Sequence, residues 1–116
     1  MRAPELRLSA AATRELQQRE QALQVELELL FSCLVRKRVI FSEQPARGYA
    51  LESTHPQLVL HFHPIVSHQC RLEEIEGEQP KDDLPLAKPE AFAPRWFSLD
   101  YSHGQWHGDF GYADAD

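Results

Sequence analysis

The sequence predicts an α+β domain, with one long amino-terminal helix packed on an antiparallel sheet of four to five strands and a long acidic, Pro-rich loop before a carboxy-terminal hairpin. The helix rests on a stretch from Ser9 to Gln44 without Gly or Pro, in which Leu16, Leu23, Leu27, Leu30 and Leu34 recur at helical spacing. The sheet rests on LVLHFH, residues 58–63, which alternates with the period of a strand. The hairpin rests on WFSLDYSHGQWHGDFGY, residues 96–112, where two alternating runs flank a turn. At 116 residues, 42% hydrophobic and 26% charged, the chain is sized for a single domain spanning residues 1–116.

Ser9 is the expected N-cap, Ala10, Ala11 and Ala12 are strong helix formers, and the helix is placed at about 10–35. Val25, Leu27 and Leu29 alternate with Glu26 and Glu28, which is equally a strand period. The helix is preferred there because Leu and Glu favour it and no turn residue interrupts. Leu29, Leu30 and Phe31 wrap this helix end in apolar groups, which suits self-association into a homodimer.

Strands follow at about 38–42, 49–53, 57–63 and 65–72, with Pro64 marking an edge or a break. Residues 73–94 carry seven acids against two lysines and four of the eight prolines, a composition that resists helix and sheet alike. The hairpin strands fall at 96–102 and 105–112, and residues 113–116 are a frayed tail.

The net charge of -6 opposes a polyanion, and Arg36, Lys37 and Arg38 are too few for a basic footprint, so no nucleic-acid partner is expected. Charges at Glu5, Arg7, Arg14 and Glu15 break any leader-like apolar run, and no stretch is long enough to span a membrane. The expected location is cytoplasmic, without membrane association. Cys33 and Cys70 lack CxxC spacing and are expected as reduced, buried thiols.

Two sites stand out. On a strand at 57–63, Leu58, Leu60 and Phe62 face the core while His61 and His63 share the opposite surface, a spacing that presents two imidazoles to one divalent metal. His107 and Asp109 of the hairpin complete the expected ligand set, with Asp100, His68 and Cys70 as further donors. The second is a partner-binding edge of Trp96, expected to be half exposed, with Glu78, Asp82 and Asp83 of the acidic loop.

No activated nucleophile or phosphate-cradling glycine loop is visible. The sequence therefore points first to a small acidic non-catalytic protein-binding module, of adaptor or inhibitor type, with no cofactor and a protein partner that is basic. The alternative is a metal-binding protein or metal-dependent enzyme built on His61, His63 and the hairpin.

Overall fold

In the computed structural model, which describes residues 1–67 and 82–113, the expected long helix is a short helix followed by a strand. Helix α1 spans Ala10–Gln17, with the Ser9 Oγ accepting from the Ala12 amide at 3.0 Å. The chain then turns without Gly or Pro. Tertiary contacts do the work of turn residues: Arg19 Nη2 donates to Glu43 Oε1, and Gln57 Nε2 to the Arg19 carbonyl, both at 2.5 Å. No local sequence signal reveals such a stop.

Strand β2, Leu23–Phe31, occupies what was expected as the second half of the helix. It lies between β3, Arg36–Ser42, which is antiparallel to it, and β5, Leu58–Val66, which is parallel. The strand places Leu23, Val25, Leu27 and Leu29 on one face, and all four are buried. A helix would spread these side chains around its circumference. Propensity separates residues by a few tenths of a kcal/mol. Full burial of a Val or Leu stabilises by about 1.5–3 kcal/mol, so packing decides.

The architecture is two sheets rather than a helix on one sheet. Strand β4, Tyr49–Leu51, completes the order β3-β2-β5-β4, and β6, Asp82–Asp83, also pairs with β5. The second sheet has the order β1-β7-β8, built from Glu5–Leu8, Trp96–Ser102 and Gln105–Gly111. Strand β1 was not foreseen, and it runs parallel to β7. The sheet is thus not purely antiparallel. Parallel pairing joins strands remote in sequence, which local patterning does not specify.

Core side chains come from both sheets and the helix: Leu27 and Phe62 from the larger sheet, Phe97 and Phe110 from the smaller, and Leu16 from α1, each 0% exposed. Strands β7 and β8 meet in a two-residue turn at His103 and Gly104, with φ of 54° and 73°. Those signs are the ones a tight hairpin with twisted strands requires.

Strand β5 runs unbroken through Pro64, where two strands had been expected. On one side it pairs with β4 as far as Phe62 and with β6 from Ile65 onward, so the missing amide falls in the gap between them. The Pro64 carbonyl still accepts from the Leu84 amide at 3.1 Å.

Other expectations are corrected by the same coordinates. Leu29 and Leu30 lie within the buried length of β2, so the apolar helix end that suggested self-association does not exist. Trp96 is 5% exposed rather than half exposed: it donates to the Ala113 carbonyl at 2.9 Å, and Arg7 lies over its ring at 4.7 Å. Cys33 is disulfide-bonded, not a reduced thiol. Cys70, His68 and Glu78 lie outside the described residues, as do residues 73–81 of the acidic loop, whereas its remainder holds β6 and a single helical turn at Pro89–Ala91. No helix among the described residues is long and apolar enough to cross a membrane.

Candidate metal centre

The face of the larger sheet turned away from the core is assembled by strand parity. Because Val25, Leu27 and Leu29 face inward, Glu26 and Glu28 face outward together, and the parallel register sets them against His61 and His63. Asp83 on β6 joins them next to Ile65.

His63 is the hub. Its Nδ1 lies 2.7 Å from Glu26 Oε2 and its Nε2 2.6 Å from Asp83 Oδ1. The ring is nearly enclosed, at 6% exposure, and Glu28 is similar at 7%, while the Asp83 side chain is 83% exposed. Burial disfavours the imidazolium, but the hydrogen bonds to Asp83 and Glu26 and the charges of both carboxylates outweigh it. The net effect holds the His63 pKa above the ordinary histidine value.

One ligand atom each from Glu26, Glu28 and His63 lie within 4.8 Å of one another, a group able to hold a metal ion. Ligand atoms about 2.1 Å from a common ion stand roughly 3–4 Å apart, so closure around an ion needs only small side-chain rotations. One imidazole with carboxylates suits zinc, manganese or ferrous iron better than calcium or magnesium.

The turn between β3 and β4 closes over this group. Gly48 adopts φ of +100°, and a Cβ there would stand 2.3 Å from the Phe62 carbonyl oxygen and 2.8 Å from the His63 Cα. Only glycine lets the turn sit that close to β5. The contact delivers the neighbouring Arg47 amide to Glu26 Oε1 at 3.3 Å.

Two clefts open beside His63, and His63 and Asp83 line both. One, of about 310 Å³, is bounded by Glu26, Glu28 and Arg47, with Ile40 and Ile65 as apolar walls. The other, of about 570 Å³, is bounded by Gly48, Tyr49, Pro64, Leu84 and Pro85. It opens between the start of β4 and the end of β6.

The residues expected from sequence are distributed differently. His61 and His63 lie on β5, whereas His107 and Asp109 lie on β8 of the other sheet. His61 is adjacent to Glu26 in register, and its buried Nδ1 has no hydrogen-bond partner among the described residues. His107 pairs across the hairpin with Asp100, whose carboxylate accepts from Ser9 Oγ at 2.6 Å. Asp83, expected at a partner-binding edge, holds the His63 ring instead, and Asp82 precedes it in β6.

Glu26 and Glu28 were missed as ligands because the helical reading of residues 10–35 hid their shared face. The signal was present in the alternation of VELEL. No family model, curated protein or solved structure matches this chain.

Proposed function

We propose that the protein binds a divalent transition-metal ion through Glu26, Glu28 and His63, with Asp83 orienting the imidazole. The observation that carries this reading is the convergence of three ligand atoms within 4.8 Å on a nearly enclosed sheet face. Nδ1 of His63 faces Glu26 and serves as the ligand, while Nε2–H donates to Asp83. A ligating histidine whose other nitrogen is held by a carboxylate is the usual supporting arrangement at such centres.

Two glutamates and one imidazole leave a fourth position open, which suits an ion that handles a small molecule as well as one that is only carried. Titration calorimetry of the untagged protein with Zn²⁺ and Mn²⁺ tests the reading. The expected result is one ion per chain, lost in the Glu26→Gln, Glu28→Gln double variant and in His63→Ala. Binding unchanged by both variants, or none in the wild type, refutes it.

A second reading, a non-catalytic partner-binding module, draws on a different observation. Leu34 and Val35 are 55% and 62% exposed at the β2–β3 turn, next to the exposed cations Arg36 and Arg38. Such a tip suits an acidic partner with an apolar spot. A Leu34→Ser, Val35→Ser variant that keeps its fold and its metal would isolate that role from the metal centre.

A further inference from the structure

We infer that the cleft in front of the metal centre takes a short-chain carboxylate, held between the bound ion and the Arg47 guanidinium. This rests on the metal reading above and adds the ligand that the open position receives. Arg47 lines the same cleft of about 310 Å³ as Glu26, Glu28 and His63. Its guanidinium makes no ion pair or hydrogen bond among the described residues, although its main-chain amide is fixed on Glu26 Oε1. An arginine that lines the same cleft as the ligand group offers a carboxylate a two-pronged, charge-assisted donor.

This binding is conditional on the ion. Without metal, the Glu26 and Asp83 carboxylates already hold the His63 ring, and the cleft offers an incoming anion no coordination position. A divalent ion adds positive charge in the cleft that Arg47 lines and supplies that position. At about 30 Å³ per water, the cleft has room for roughly ten non-hydrogen atoms, enough for a short-chain carboxylate. Ile40 and Ile65 would flank the alkyl portion.

The test uses the full chain, Co²⁺ as the ion and acetate as the probe. Co²⁺ uptake is measured first for the wild type and for Arg47→Gln, and acetate affinities are compared only on protein saturated with Co²⁺. Acetate is then titrated while the visible Co²⁺ bands are followed, and nuclear magnetic resonance follows residues 47–49 in the metal-free protein. The expected result is saturable acetate binding to the loaded wild type, at least about tenfold weaker in Arg47→Gln, the equivalent of one lost charge-assisted hydrogen bond. Metal-free protein should show no acetate-dependent shift at those residues. Equal affinity in Arg47→Gln, acetate binding without metal, or an acetate-silent Co²⁺ spectrum overturns the carboxylate proposal while leaving the metal centre standing. A chain that takes up no Co²⁺ overturns both.

Discussion

Glu26 Oε2 lies 2.7 Å from His63 Nδ1, although the strand register sets Glu26 directly beside His61. The contact is therefore diagonal, reaching one outward-facing position along the neighbouring strand. It ties together two side chains that a metal ion would have to prise apart and bridge.

Replacing His63 with Ala should destabilise the metal-free protein by about 3 kcal/mol, because it removes the imidazole that partners the largely buried Glu26 carboxylate. Urea denaturation monitored by tryptophan fluorescence would measure it. A loss under about 1 kcal/mol would mean the carboxylates are satisfied without the ring.

Asp83→Ala separates support from structure. The Asp83 side chain is 83% exposed, so global stability should change by less than about 0.5 kcal/mol. Ion affinity should nevertheless fall by about 10–100-fold, since the ring loses the carboxylate that fixes its orientation. Calorimetry and denaturation on the same preparation would show whether the two effects part company.

The raised pKa of His63 fixes the sign of a pH effect. The folded protein holds this proton more tightly than the unfolded chain does, whose histidines titrate near about 6.5. Its contribution is complete below that value and is lost as pH rises through the higher folded value. Urea midpoints of the metal-free protein should therefore decline as pH rises above about 6.5, and His63→Gln should flatten that slope. Metal loading should run the other way, improving with pH, because the ion takes the place of the Nδ1 proton.

Gly48→Ala and Gly104→Ala form a matched pair. Both glycines have positive φ, but an added Cβ at Gly48 meets the Phe62 carbonyl at 2.3 Å, whereas at Gly104 nothing lies within 4 Å. Gly104→Ala should cost about 1 kcal/mol of backbone strain. Gly48→Ala should cost more than about 2 kcal/mol and should also weaken ion binding, by lifting the Arg47 amide from Glu26.

Ser9→Ala removes an N-cap, at a cost of about 1 kcal/mol. The Ser9 hydroxyl is also the largest influence lowering the Asp100 pKa, followed by the Tyr101 amide. The variant should move the Asp100 carboxyl titration upward, as read by nuclear magnetic resonance. Asp100 stabilises the fold above its unfolded pKa, and that contribution disappears as pH falls through the lower folded value, so the variant should also be less sensitive to acid.

The strand carrying His61 and His63 was legible because Leu58, Leu60 and Phe62 alternate cleanly, and the same is true of the hairpin around His103 and Gly104. The Ser9 cap was legible too. Residues 18–22 were not: the stop there is made by Arg19, Glu43 and Gln57, which meet only after the chain has folded. Missing that stop turned β2 into helix and placed Glu26 and Glu28 on the wrong scaffold. The division of the strands between two sheets was equally hidden, since the alternation that sends His63 and His107 outward does not say from which sheet.

Because Glu26 and Glu28 project from one strand whose backbone is hydrogen-bonded on both sides, their spacing is set by the lattice of the sheet rather than by a loop that must close on its cargo. Little chain entropy remains to be lost when an ion arrives. The protein should thus behave unlike a zinc finger: a chelator would strip the ion and leave the circular dichroism spectrum and the cooperativity of melting essentially intact.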